Sequence, residues 1–241
     1  MRIKSVRYRK QVEMLKDGRG PMPVAQAVER VKQMAAVNVD RGYKNGKRRK
    51  GADQTVDLVM SLGIDPKQAD QMLRGALMLP KGTGKTQRVI AFCDASMVAA
   101  AKAAGAVEAG ADELIDRVTK GWMDFDVAVA HPQLMGKVGK LGRVLGPSGK
   151  MPSPKSGTVT ADVVKAVKEY SAGKVEFRND AGGNIHMPVG RVSFAAGDLC
   201  ENIDAVISHI LRIRPGTAKG QFVRCACLSA TYTPSVLLET G

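Results

Sequence analysis

A chain of 241 residues with 44% apolar content is long enough to bury one sizeable core or two modest ones, which excludes an unfolded polymer. Its 37 Lys and Arg against 23 Asp and Glu leave a formal charge of +14, a surplus that points to a polyanionic partner, either nucleic acid or an acidic membrane face. No apolar run approaches the roughly 20 residues that cross a bilayer, and the opening MRIKSVRYRK is basic without the apolar core of a signal peptide, so neither a spanning protein nor an exported one is expected.

The charge is unevenly placed, since residues 1–50 hold 15 Lys and Arg against 4 Asp and Glu. The first twenty residues read as a basic arm. Val24, Ala27, Val28, Val31, Met34 and Ala35 then follow helical spacing after Pro21 and Pro23. Residues 40–51 carry glycines and charge too densely for an ordered element, and read as a solvated loop. Val56, Leu58, Met60 and Leu62 alternate with Thr55, Asp57, Val59 and Ser61, which predicts a strand with one face wet. From residue 82 strand and helix take turns: strand 88–93, helices 95–104 and 112–119, strand 126–130, helix 132–140. That rhythm predicts a small parallel sheet covered by helices. Residues 142–157 are too rich in Gly and Pro to be regular. A helix over 161–170 follows, then strands 174–179 and 185–194 around a Gly182-Gly183 turn, a helix over 198–213 and a last strand over 221–231. The middle of the chain reads as inserted into an outer α+β domain.

Catalytic groupings are not recognisable. LPKGTGKT (79–86) imitates a phosphate loop, but Leu79 stands where the first glycine is needed and a strand pattern follows where a helix must open. It reads instead as a glycine-rich connection between domains. His131, His186 and His209 have no metal-ligand spacing. Of the four cysteines, Cys93, Cys200, Cys225 and Cys227, none makes a C-x₂-C pair, which suits reducing conditions; Cys225 and Cys227 share one strand face, yet a metal there lacks further ligands. Arg178, Asn179, Asp180, Asn184 and His186 surround a strand–turn–strand ribbon, either an ordinary polar turn or a set of donors and acceptors for phosphates, 2′-hydroxyls and base edges. Aromatics are only 4% of the chain, so a stacking platform is not expected and recognition of folded RNA by shape and hydrogen bonds fits better.

The stretch GRVLGPSGKMPSPKSGTV (142–159) closely resembles the signature of the ribosomal protein L-one family. LGIDPKQADQ (62–71), Arg74-Gly75, Leu79-Pro80, GWMDFD (121–126), residues 174–180, Ile185-His186 and residues 218–220 extend the resemblance over nearly the whole chain except the basic loop. The resemblance implies an outer α+β domain split across both chain ends (1–81 and 173–241) and an inserted α/β, Rossmann-like, three-layer domain (82–172), joined at hinges near Gly82, Gly84 and Gly173. It implies a non-enzymatic, cytoplasmic constituent of the large ribosomal subunit, without cofactor or metal and monomeric off the ribosome. Such a protein grips large-subunit rRNA at the mobile side stalk, assists release of deacylated tRNA from the exit site, and represses translation by binding its own operon mRNA.

Carried over by position, the rRNA-facing residues are Thr55, Arg178, Asn179, Asp180, His186, Cys225, Thr231, Tyr232 and Thr233. The chain departs from the family pattern, which has serine at Cys225, Thr-Met-Gly at 231–233 and Lys-Phe at Gly51-Ala52. Tyr232 is suited to stack or pack where methionine stands, whereas Thr233 replaces a glycine that permits close backbone approach. The added loop residues Arg41, Lys44, Lys47, Arg48, Arg49 and Lys50 are expected to supply phosphate contacts in place of the missing Lys-Phe pair. Two rival readings remain open: a nucleotide-dependent enzyme built on the α/β insert, and a messenger RNA repressor that works off the ribosome.

Overall fold

A computed structural model describes residues 6–15, 20–37, 53–218 and 220–239. Helices and strands alternate along it: α1 (Val6–Met14), α2 (Val24–Ala36), β1 (Thr55–Leu62), β2 (Arg74–Met78), β3 (Val89–Phe92), α3 (Ala95–Ala103), β4 (Glu108–Gly110) and α4 (Asp112–Thr119). Then come β5 (Val127–Ala130), α5 (Met135–Val138), α6 (Gly142–Leu145), α7 (Val163–Ser171), β6 (Lys174–Arg178), β7 (Asn184–Arg191), α8 (Ala196–Arg212), β8 (Val223–Ala230) and β9 (Val236–Leu238). The chain divides into two compact units, one of Met1–Leu73, Leu79–Gly84 and Arg178–Gly241, the other of Arg74–Met78 and Lys85–Phe177.

The first unit is built on an antiparallel sheet in the order β7-β1-β8-β9. Alternate residues of β1, Val56, Leu58, Met60 and Leu62, are almost wholly buried. Register sets Met187 and Leu228 on either side of Leu58, and Ile185 and Ala226 on either side of Met60. Helices α2 and α8 close this face. Ala27, Val28, Val31 and Met34 of α2, and Leu199, Ile203, Val206 and Ile210 of α8, recur at the three- and four-residue spacing that makes one helical stripe. Helix α1 joins through Gln11, whose Nε2 donates to the Met34 carbonyl at 2.8 Å.

The segment after Leu79 is pinned to this unit. Asn202 of α8 accepts from the Lys81 amide at 3.0 Å and donates to the carbonyls of Gly82 at 3.0 Å and Val189 at 2.8 Å. Lys81 Nζ lies 3.4 Å from both Asp198 and Glu201. Gly84 has φ +71°, and a Cβ there would meet the Phe194 ring at 2.6 Å, so backbone sign and space both demand glycine. Within the glycine-rich connection read over 79–86, residues 81–84 are therefore a buttressed turn.

The second unit carries a parallel sheet in the order β4-β3-β5. Period-two alternation feeds two cores from it. Ile90, Phe92, Ala128 and Ala130 pack with Leu114, Val118, Phe125, Leu134, Val138, Leu141 and Leu145. Val89, Ala91, Cys93 and Val129 pack with Ala101, Ala106, Val163, Ala166, Val167 and Tyr170. Helices thus cover both faces, as parallel sheets require. The sheet predicted from residue 82 onward is present, and no helix opens after Thr86, where β3 follows.

The described residues depart from the sequence reading in several places. The basic arm contains α1, because Gln11 and Leu15 find buried places. The helix expected over 132–140 is broken into 3-10 turns around α5. The Gly-Pro stretch holds α6, since Leu141 and Leu145 both enter the core, and a 3-10 turn at Pro154–Ser156. Tyr170 ties that stretch down by donating its hydroxyl to the Ser156 carbonyl at 2.6 Å, and burial pushes its phenol well above the ordinary range. Finally, β4 and β9, of three residues each, are too short to show a period, and β2 buries no residue fully, so it shows no one-sided pattern; all three pass unnoticed in the sequence. Residues 74–78 and 173–177, placed outside the insert by sequence, cluster with the second unit.

Replacing Asn202 with Ala strands one amide and two carbonyls. The expected loss of unfolding free energy is about 2–4 kcal/mol, read by urea denaturation, with the melting cooperativity of the wild type retained.

Candidate nucleic-acid interface

The strand alternation that buries Val56, Leu58, Met60 and Leu62 turns Thr55, Asp57, Val59 and Ser61 to the opposite face of the sheet, away from α2 and α8. Register extends that face sideways. Asn184, Ser61 and Cys225 form one row, His186, Val59, Cys227 and Leu237 the next, and Pro188, Asp57 and Ser229 a third. All are half-buried or exposed. Six residue steps from Thr55 to Ser61 give the face a length of about 20 Å, and its strands a width of about 15 Å.

The predicted residues stand at both ends of this face. At one end Asp180 organises the β6–β7 turn, accepting from the amides of Gly182 at 2.8 Å and Asn184 at 2.7 Å, from Asn184 Nδ2 at 3.1 Å and facing His186 Nε2 at 3.4 Å. These bonds, that of the Asn184 amide first, hold its carboxyl down to about 2. Gly183, with φ +79°, makes the turn, and its carbonyl accepts from the Leu62 amide at 3.0 Å. Arg178 is exposed on the last residue of β6. Asn179 is different: it is buried, and its Oδ1 accepts from the Leu73 amide at 2.9 Å. Its side chain is structural cement for the turn, with Nδ2 donating to the Asp180 carbonyl at 3.2 Å.

At the other end Thr231, Tyr232 and Thr233 cap β8. The Thr231 amide donates to the Thr55 carbonyl at 3.1 Å, and the Thr55 amide returns a bond to Thr231 Oγ1 at 3.2 Å. Tyr232 presents its amide to Gln54 Oε1 at 3.1 Å. Thr233 Oγ1 accepts from the Ala230 amide at 2.8 Å, so the hydroxyl closes the turn on itself. Asp53 braces the neighbouring corner, 3.6 Å from Arg191 and 2.8 Å from the Ser193 hydroxyl that donates to it.

Between the ends lie Asp57 and the cysteines. Burial pushes the Asp57 carboxyl up, against the pull of His186. Cys225 is exposed and Cys227 half-buried beside it; burial first and the Cys225 thiol next push the Cys227 thiol up. Both thiols share one face, as their spacing predicts. Asp57, Val59, Ser61, Ser229 and Gln54 also belong to this surface, beyond the residues expected from the sequence, although the alternation over 55–62 places the first three together. Gly82 and Gly84 lie in the pinned turn, while Gly173, with φ +107°, follows α7 in the second unit. The loop from Arg41 to Lys50 lies outside the described residues. Among the described residues no group of three or more His, Cys, Asp or Glu is placed to hold a metal.

Fold and surface define a mixed α/β protein that offers an open sheet face lined with hydrogen-bonding groups. The chain belongs to the Ribosomal protein L1p/L10e family, which residues 43–234 match. It is 48% identical over 216 residues to the large ribosomal subunit protein uL1 of Lactobacillus acidophilus, covering 90% of this chain and 88% of that one. The uL1 protein of Lactobacillus gasseri is 46% identical over 228 residues, 94% of this chain and 98% of its own. That of Streptomyces griseus is 54% identical over 189 residues, 78% and 79% of the two chains. These relatives are proteins of the large ribosomal subunit, and the chain is accordingly a ribosomal protein, not an enzyme. No helix among the described residues is long and apolar enough to cross a membrane.

Because the folded Asp180 carboxyl titrates near 2 and an unfolded one near about 3.9, its contribution is fully present above that range and lost as pH falls through it. Asp180→Asn should flatten the stability–pH curve between about pH 4 and 2, measured by urea unfolding, and speed amide exchange at Gly182 and Asn184.

Proposed function

We propose that the chain is a structural constituent of the large ribosomal subunit that docks the open face of β7-β1-β8 on large-subunit rRNA at the mobile side stalk. The observation that carries this reading is a sheet face that, among the described residues, lies away from α2 and α8 and whose rows mix hydroxyls, an imidazole, an amide and a carboxylate, in a chain of formal charge +14. Such groups suit 2′-hydroxyls and sugar edges displayed across the wide, shallow minor groove of helical RNA. The Asp180 carboxylate, its oxygens taken up by the amides of Gly182 and Asn184 and by Asn184 Nδ2, shapes the turn beside His186 and Arg178 that faces the RNA in this reading. Family membership supports the partner. Arg178, His186, Cys225, Thr231, Tyr232 and Thr233 are the contact residues in this reading, with Thr55 and Asn179 positioning them.

In the same reading the two units are the outer domain and the inserted domain, and the connections near Gly84 and Gly173 let the stalk swing as deacylated tRNA leaves the exit site. The pinned turn at residues 79–84 supports a bend that starts beyond Gly84. One face serves two RNAs, the rRNA junction and a look-alike site on the operon mRNA, so translational repression follows from competition between them. The protein acts as a monomer off the ribosome. Basic residues Arg41, Lys44, Lys47, Arg48, Arg49 and Lys50 add phosphate contacts.

Ser61→Glu puts a second carboxylate among the rows, and affinity for the stalk-junction RNA is expected to fall about tenfold or more; an unchanged affinity in a folded variant overturns the face. Deleting residues 41–50 should lower the slope of log affinity against log salt by about 0.7–0.9 for each phosphate that the loop neutralises in the wild type. An unchanged slope removes the loop from the interface.

A further inference from the structure

Of the four cysteines Cys225 alone is exposed, and it stands on the open face one row from half-buried Cys227. The two thiols are hydrogen-bonded to each other. Two residue steps of a strand span about 6.6 Å, close to the upper end of the Cα separations, about 4.4–6.8 Å, that a disulfide bridges. A regular strand therefore keeps such a pair within reach but resists closing it. Strand β8 is not regular here. Cys225 faces Ser61 while Val223 faces Leu62, so Arg224 is an extra residue, and Arg224 and Cys225 are exposed in succession where alternation would bury one of them. A bulge of this kind bends the strand and adds local twist. On the other side β9 pairs with β8 only from Ala226 to Leu228, so Cys225 lies beyond its end. Cys225 is thus the member of the pair with freedom to move. Cys227, paired with Val59 on one side and Leu237 on the other, is the member that stays.

We propose that Cys225 and Cys227 form a hydroperoxide-sensitive dithiol whose oxidation to a disulfide releases RNA from the open face, an inference whose second half rests on the reading of that face as an RNA surface. The Cys225 thiol, on losing its proton, attacks one oxygen of the peroxide and breaks the O–O bond. Cys225 becomes a sulfenic acid, and the leaving oxygen takes up the proton and departs as water or an alcohol. The Cys227 sulfur then attacks the sulfenic sulfur: an S–S bond forms, the S–O bond breaks, and the hydroxide leaves as water with the Cys227 proton. Two thiols lose two electrons in all, and one peroxide is reduced. Exposure gives Cys225 the first step, because the thiolate must be reached by the oxidant. Burial pushes the Cys227 thiol up and keeps it protonated, which suits it to the second. Cys93 is buried, and burial with the carboxylates of Asp204 and Glu29 pushes the Cys200 thiol up, so neither competes. A disulfide closed against strand geometry is readily reduced, which makes the step reversible. On the face, closure removes two S–H groups from adjacent rows and draws the bulge at Arg224 toward Cys227. Serine, which stands at Cys225 in the family pattern, cannot close this bond, so the switch is a property of the Cys225 chain.

The test uses the full-length protein, hydrogen peroxide and a stalk-junction fragment of large-subunit rRNA. After oxidation, the remaining thiols are capped under denaturing conditions and the peptides weighed. The peptide holding Cys225 and Cys227 should be two hydrogens lighter and uncapped, with Cys93 and Cys200 capped. Cys227→Ser should stop at a Cys225 sulfenic acid that dimedone traps. Affinity of the oxidised wild type for the fragment should fall about tenfold and return on adding dithiothreitol. Cys225→Ser, compared with its own reduced form, should show no peroxide effect. A pair that stays reduced and capped, or a disulfide that joins either thiol to Cys93 or Cys200, overturns the dithiol. A disulfide between Cys225 and Cys227 that leaves affinity unchanged overturns the switch. A reduced wild type that does not bind the fragment takes down the reading of the face and the switch with it, whereas the disulfide, read by mass alone, is decided separately.

Discussion

Everything at the candidate interface depends on the two-residue period of β1. One set of side chains, Val56, Leu58, Met60 and Leu62, is committed to the core under α2 and α8, and that commitment leaves the intervening set no choice of side. Because β1 is central, flanked by β7 and β8, the same constraint propagates through both registers and aligns Asn184, His186, Cys225, Cys227 and Ser229 with it. The open face is thus a by-product of burying four apolar residues correctly. Its ends are then tailored, by a carboxylate-centred turn at Asp180 and by a threonine-bonded turn at Thr231 to Thr233.

The face carries a cost in its middle. Asp57 sits half-desolvated in its middle with its carboxyl pushed up, compensated only in part by His186. Groups held in an unfavourable ionisation environment concentrate where a ligand completes their solvation. Cys225 puts an exposed thiol on the same face.

Much of this was legible in the sequence, for definite reasons. Strands with a clear period, such as residues 55–62 and 223–230, and helices with a stripe, such as 24–36 and 196–212, declare themselves because burial is one-sided. Short elements do not: three residues at Glu108–Gly110 or Val236–Leu238 show no period at all. Individual roles were less legible than faces. Asn179 was expected outward, but a side chain that satisfies the Leu73 amide is recognisable only once residues 106 positions apart are brought together. Arg7 was hidden in a basic arm, since the Tyr232 ring, whose centroid lies 4.7 Å from its guanidinium carbon, belongs to the far end of the chain. Thr233, a departure from the family pattern, turns out to supply the bond that closes its turn on Ala230.

The three-stranded sheet of the second unit has its own consequence for what sequence change it tolerates. Consecutive residues of β3 belong to different cores: Ile90 and Phe92 enter one, Val89 and Ala91 the other, which Cys93 joins just past the strand. A conservative substitution disturbs one side only. Loss or gain of a single residue within β3 exchanges the occupants of both, sending Phe92 toward the side shaped by Ala101 and Ala106 and leaving a void beside Phe125. Length is therefore a harder constraint on this strand than composition, and variation among related chains should enter it by replacement, with insertions and deletions confined to the loops.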